Sequence, residues 1–233
     1  MSLATKQSHT PQTSMPMDNS MLKKTAGRFS RLALVAALAL PLGACALAGA
    51  VNSPPPALYQ LQAPSAVQGS VLPLQLVVEE FSTPAAIDTA RIVFRPTANE
   101  LKYFAGARWA DRTPRMISTL LIETLSKSGF AGVTGQGGQA RVDYTLAGDI
   151  RAFAVEGAQG SAAREVNVTL FVRIIRAKDR EIIASREFAS RQPVAASGME
   201  SIVTAYDKAL SAVLTDISSW TQTEARRAEA TMR

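Results

Sequence analysis

One thiol is available for chemistry in this chain, and it belongs to Cys45. It follows Leu42, Gly43 and Ala44, at the end of an apolar run that starts at Leu32. The small side chains of Gly43 and Ala44 leave the backbone open to a processing enzyme, and only a thiol forms a thioether. Lys23, Lys24, Arg28 and Arg31 precede the run. A basic start, an apolar middle and small residues before a cut site make a secretory signal. The competing reading is an uncleaved membrane span, because Leu32 to Val51 carries no charge and is long enough to cross a bilayer. Pro41, Gly43 and Gly49 interrupt that run, which favours the cleaved signal.

The stretch Leu42-Gly43-Ala44-Cys45 resembles the lipobox of bacterial lipoproteins. The resemblance implies a diacylglyceryl group on the Cys45 sulfur, cleavage between Ala44 and Cys45, and an acyl chain such as palmitate on the new amine. Each acyl methylene buried in a bilayer contributes about 0.8 kcal/mol, so two chains anchor stably. No cofactor or metal is expected beyond this covalent lipid. Residues 1–20 are polar, with Pro11 and Pro16, and sit oddly before a signal. Met21, followed by Leu22-Lys23-Lys24, is the expected translation start, or residues 1–20 are a dispensable extension. The expected organisation is residues 1–44 as extension and signal, 45–57 as a lipidated tether, 58–220 as one domain, and 221–233 as a polar tail.

After Cys45 the chain has no histidine and no further cysteine; the sole histidine is His9. That excludes an internal disulfide, a Cys/His zinc site and any Ser-His or Cys-His catalytic pair in the mature part. The formal charge of +6 misleads, because Lys6, Lys23, Lys24, Arg28 and Arg31 all lie in the leader, against Asp18 alone. The remainder is close to neutral and carries no basic footprint for nucleic acid. Three lesser motifs have plain readings. Gly135-Gln136-Gly137-Gly138 precedes a strand, so no helix N-terminus stands ready for a phosphate. Glu79 and Glu80 are neighbours on a strand and point to opposite faces. Lys127, between Ser126 and Ser128, complements a helix C-terminus.

The elements that would position any site follow from periodicity. Ala46 to Ala57, with Pro54-Pro55-Pro56, reads as an extended tether; its twelve residues reach roughly 40 Å at most. Leu58–Leu61 and Leu72–Val78 read as strands, with Pro73 at an edge or a strand start. Arg91–Phe94 and Glu100–Phe104 read as a hairpin. Thr113 is the expected N-cap of a helix with Pro114 at its first position, an apolar stripe from Met116 to Leu125, and Gly129 beyond its end. Phe130–Val133 is a further strand. Three long strands follow, over 142–152, 166–175 and 182–188, expected as an antiparallel meander. A last helix carries the stripe Met199, Ile202, Val203, Tyr206, Leu210, Val213, Leu214 and Ile217 and is expected to end near Trp220. The predicted fold class is α+β: an antiparallel sheet with two amphipathic helices packed on one face.

Two groups of apolar residues have open readings. Tyr103, Phe104 and Trp109 are either core or a partner surface, where Trp and Tyr are enriched. Phe171 and Ile175 share a strand face with Asn167 and Arg173, so they are either covered by another element or form an interface.

From Leu72 onward the pattern resembles the ABC-type transport auxiliary lipoproteins, partners of the MCE (mammalian cell entry) lipid-transport systems of diderm bacteria. The likeness rests on the lipobox with its proline-bearing tether and Tyr59. It rests also on the block Tyr103-Phe104-Ala105-Gly106-Ala107-Arg108-Trp109-Ala110-Asp111 before the Pro114 helix. The order Tyr144–Ile150, Val168–Arg176, Phe188 and a long helix completes it. It implies a non-enzymatic subunit working with an ATPase, a permease and an MCE-domain protein that move phospholipid or another apolar molecule. With Ala46 after the cysteine, the enterobacterial sorting rule implies the outer membrane, facing the periplasm. A homo-oligomer is left open. The rivals are another envelope-assembly lipoprotein, such as a barrel plug or chaperone, and a cell-wall hydrolase using Asp111, Asp143 or Asp149.

Overall fold

The computed structural model describes residues 54–65, 70–137, 141–161 and 163–231. The lipobox residues Leu42, Gly43, Ala44 and Cys45 lie outside them. Among the described residues, eight strands and two helices follow in order. They are β1 (Ala57–Tyr59), β2 (Leu72–Val78), β3 (Arg91–Thr97), β4 (Glu100–Trp109), α1 (Thr113–Ser126), β5 (Phe130–Gly135), β6 (Tyr144–Glu156), β7 (Glu165–Arg176), β8 (Ile182–Pro193) and α2 (Met199–Thr231). No described helix is long and apolar enough to cross a membrane.

The long strand β6 organises the sheet. Along one edge it pairs antiparallel with β7 over almost its whole length, and β7 pairs antiparallel with β8. This is the expected meander. The other edge of β6 is shared. Its first residues pair parallel with β2, Leu76 beside Tyr144 and Val78 beside Leu146. A bridge joins Ser82 to Asp149, and the last residues pair parallel with β3, Phe94 beside Val155. β2 and β3 therefore run in series along one strand. β5 adds to β2 in parallel, β4 closes an antiparallel hairpin with β3, and β1 adds to β4 in parallel.

The α+β class with two helices is as predicted, but the sheet is mixed, not uniformly antiparallel. The α1 crossover carries the chain from β4 across to β5, which lies parallel to β2; β1–β4, β2–β6 and β3–β6 are also parallel. Pro73 sits near the start of β2, where the ladder with β5 is irregular, as its missing N–H requires.

A bulge in β6 re-aims its side chains. Tyr144, Leu146 and Ile150 are buried and alternate as predicted, but the register against β7 shifts between Ile150 and Ala152. One extra residue reverses the alternation. Phe153 and Val155, not Ala152, then continue the core face opposite Val168 and Val166. Gly148, before the bulge, has no room for a side chain. A Cβ there would stand 2.6 Å from the Phe171 carbonyl oxygen and 2.9 Å from the Phe81 ring.

Both helix ends differ in part from expectation. Thr113 does not cap α1: its hydroxyl donates to the Thr89 carbonyl at 3.0 Å, which ties the helix start to the loop before β3. Gly129 beyond the other end adopts φ +100°, the left-handed turn expected of it. α2 does not stop at Trp220. It continues to Thr231, with Thr221, Gln222 and Ala225 buried, so most of the predicted polar tail is helix. Gln222 donates through its amide nitrogen to the Ser128 carbonyl at 2.7 Å. Polar satisfaction at that point lets a polar residue be buried.

The core centres on aromatic packing. Trp109, Phe153 and Tyr206 pack with ring centroids 5.8, 5.0 and 4.7 Å apart, joining β4, β6 and α2. Trp109→Ala is expected to destabilise the fold by about 3–5 kcal/mol, the usual cost of deleting a buried large aromatic. Gly148→Ala is expected to cost about 1–3 kcal/mol through overpacking. Urea unfolding midpoints of both variants check this.

Candidate functional site

The side of the sheet away from the helices carries half-exposed residues on its central strands. Asp149, Phe171 and Glu187 lie side by side across β6, β7 and β8, and Ser82 joins the row beside Asp149. Alternation explains the row: their neighbours Ile150, Leu170 and Phe188 fill the core. Arg151 stacks over the Phe171 ring at 4.3 Å and Arg173 stands 5.6 Å from it. Each guanidinium is also ion-paired, Arg151 with Glu187 and Arg173 with Asp149. Asp149 additionally accepts from the Ser82 hydroxyl. Phe171 is thus framed by paired charges that hold two arginines within cation–π range of its ring.

Ile175 lies two repeats of the pleat further along β7, half-buried beside a hollow of about 240 Å³ lined by Val77, Val142, Thr145 and Arg180. Phe171 and Ile175 are therefore not covered by another described element and form part of an open face. The other proposed partner residues separate. Trp109 is only 1% exposed and is core, so it is not available as a partner surface. Tyr103 is half-buried, donates its hydroxyl to the Ala86 carbonyl at 3.1 Å and lies under Arg91, whose guanidinium carbon is 3.6 Å from the ring centroid. Phe104 is half-buried against Phe94, with centroids 5.5 Å apart. Tyr103 and Phe104 are consecutive on β4 and point to opposite faces, so the structure does not bring the five residues into one patch.

The carboxylates considered for hydrolysis are dispersed. Asp143 accepts the Gln75 backbone N–H at 2.9 Å, Asp149 serves the Phe171 row, and Asp111 pairs with Arg115 at 3.2 Å. Asp143 and Asp149 are six residues apart along one extended segment, roughly 20 Å. Among the described residues no group of three or more His, Cys, Asp or Glu is placed to hold a metal ion. Lys127 pairs with Glu123 at 2.6 Å, and the Ser126 and Ser128 hydroxyls donate to helix carbonyls.

A second polar contact was not legible in the sequence. Tyr144, at the start of β6, donates its hydroxyl to a Glu229 carboxylate oxygen at 3.0 Å. It joins the last turns of α2 to the sheet beside a hollow of about 680 Å³. Burial, then the bond to Glu229 and its negative charge, pushes the Tyr144 hydroxyl up to about 12. Burial also raises Tyr206. Only the period-two pattern flagged Tyr144, and nothing in the sequence indicated that α2 reaches Glu229.

This mixed sheet with two helices is also found in a solved structure from Xanthomonas campestris, protein XCC0632. It is 25% identical, with a TM-score of 0.68, over 75% of this chain and 99% of that one. A further solved structure of an uncharacterised protein shares the fold at 15% identity and a TM-score of 0.53, over 69% of this chain and 99% of that one. The class of protein so defined is a single sheet-and-helix domain, complete in the XCC0632 chain. The family model for the ABC-type transport auxiliary lipoprotein component matches residues 58–218, and the chain belongs to that family. No curated relative matches the chain.

A tyrosine that ionises less readily folded than unfolded adds stability at pH below its ordinary value near 10. That contribution is lost as pH rises through about 12. Tyr144→Phe is therefore expected to flatten the fall of thermal midpoint between pH 10 and 12. Midpoints of wild type and variant measured across that range check it.

Proposed function

We propose that this protein is the lipid-anchored accessory subunit of an MCE-type ABC transporter that moves phospholipid or another apolar molecule across the envelope. The observation that carries this reading is the conjunction of two facts. An auxiliary-lipoprotein domain spans residues 58–218, and a lone cysteine in a lipobox-like setting stands just before it. The family supports a transport lipoprotein of the cell envelope. The substrate, the MCE partner and the outer membrane are the further steps taken here, the last from Ala46 after the cysteine.

The role is mechanical. Acyl chains on Cys45 hold the protein at a membrane with an affinity that grows with each buried methylene. The tether sets the reach of the domain. The domain then docks other subunits through a surface that needs no catalytic group. Phe171 and Ile175 on the open face, with Arg151 and Arg173 held by carboxylates, have the aromatic and arginine character of docking surfaces. Their ion pairs leave the arginines ordered before a partner arrives.

Growth with radiolabelled palmitate is expected to label the wild-type protein and not Cys45→Ser. Capture of the acylated protein from detergent-solubilised envelopes is expected to bring an ATPase, a permease and an MCE-domain protein with it. Phe171→Ala is expected to reduce that capture about tenfold while the unfolding midpoint stays nearly unchanged. An unlabelled wild type would sink the anchor, and capture of an outer-membrane barrel in place of the transporter would favour the assembly-factor alternative.

A further inference from the structure

At the β1 edge of the sheet, three residues stand in one row across three strands. Leu58 on β1 is beside Arg108 on β4, and Arg108 is beside Arg91 on β3. The row belongs to the side away from the helices, because the next residue on each outer strand turns inward. Tyr59 packs against the core and Trp109 is buried within it. Leu58 is 67% exposed, one of the few large apolar side chains so open among the described residues.

The two arginines are in an unusual setting. Residues directly opposite in an antiparallel pair have Cβ atoms about 5 Å apart, and like charges there are destabilising. On the same outward side of the meander, arginines are matched by carboxylates, Arg151 by Glu187, Arg173 by Asp149 and Arg191 by Glu156 and Glu165, whereas Arg186, opposite the buried Val172 on the edge strand β8, rests on Phe188. Nearby, Arg112 takes Glu80 and Asp88. Arg91 and Arg108 form no ion pair among the described residues. Arg91 instead lies flat on Tyr103, which orients its guanidinium without neutralising it. Two adjacent unneutralised guanidiniums suit a bidentate anion such as a phosphate. An exposed leucine and a tyrosine beside them suit the apolar margin of a headgroup layer.

Position selects the source of that anion. The tether enters the domain through β1, so Leu58 is only thirteen residues from Cys45, a span of roughly 45 Å at full extension. A membrane surface is the anionic partner always within reach of this row.

We infer that Leu58, Arg91 and Arg108, with Tyr103, form a contact site for the phosphate headgroups of an anionic lipid surface, which orients the domain on its tether. The inference rests on the lipid-anchored reading for its biological setting, but the contact is a property of the folded domain. It is tested without the lipid. The chain from residue 45 to 233 with Cys45→Ser is mixed with vesicles.

Sedimentation with vesicles of phosphatidylcholine plus one-third phosphatidylglycerol is expected to bind the protein at least tenfold more tightly than phosphatidylcholine alone. Arg91→Gln/Arg108→Gln is expected to lose most of that difference, as is 0.5 M salt. Hydrogen exchange is expected to slow in the peptides covering 57–59 and 100–109 only with the anionic vesicles. Arg91→Lys/Arg108→Lys, which keeps the charge but loses the guanidinium fork, guards against a folding defect and is expected to bind anionic vesicles more weakly than wild type and more tightly than the glutamine variant. Equal binding to both vesicle types, or anionic binding untouched in the glutamine variant, overturns the inference. So does protection of the same peptides by hexaglutamate with none by vesicles, which would assign the site to an acidic protein segment. Failure of palmitate labelling would leave this outcome intact, so the two readings fall separately.

Discussion

The structure depends on one strand accepting partners along both edges. β6 is thirteen residues long, far longer than any single neighbour on its shared edge. Its length lets β2 and β3 dock one after the other, while β7 and β8 extend the sheet on the other side. If β6 were interrupted, the hairpin of β3 and β4 would lose its attachment to the meander except through the helices. The bulge after Ile150 makes the arrangement work chemically. It keeps Leu146 and Ile150 inward in one half and Phe153 and Val155 inward in the other, so both halves face the same helix α2 although the neighbouring strand changes.

The consequence for function is a division between two faces. Around its aromatic cluster of Trp109, Phe153 and Tyr206 the helix-covered face is committed to packing, while a hollow opens beside Tyr144 and Glu229 near the end of α2. The opposite face is furnished by arginines, carboxylates and a few half-exposed apolar residues. On its meander half the charges are matched, so Phe171 is presented in a neutral, ordered frame. At the β1 edge they are not matched. The open face thus has one charge-balanced region and one positively charged region, the two places to which the proposed protein and headgroup contacts are assigned.

Sequence reasoning reached far along this chain because most of its elements are strongly patterned. The strands 166–175 and 182–188 alternate, and the stripe from Ile202 to Ile217 has helical spacing, so the meander and the long helix were legible. What misled it was local. The Tyr103–Trp109 block looks like one aromatic cluster, yet β4 sends Trp109 into the core, Tyr103 under Arg91 and Phe104 to the opposite face. The polar run after Trp220 looks like a tail, yet Gln222 and Glu229 meet partners at Ser128 and Tyr144 and carry the helix onward.

The thiol's setting, the absence of histidine and further cysteine after it, the strand and helix periods and the family pattern were all determined by the order of residues, because each is a local or compositional property. Only the tertiary structure decided which strands are parallel, which aromatic is core, and that Arg91 stands opposite Arg108. Those are matters of register between segments distant in the chain. A single-residue bulge is enough to exchange one face for the other without leaving a mark in the periodicity on either side.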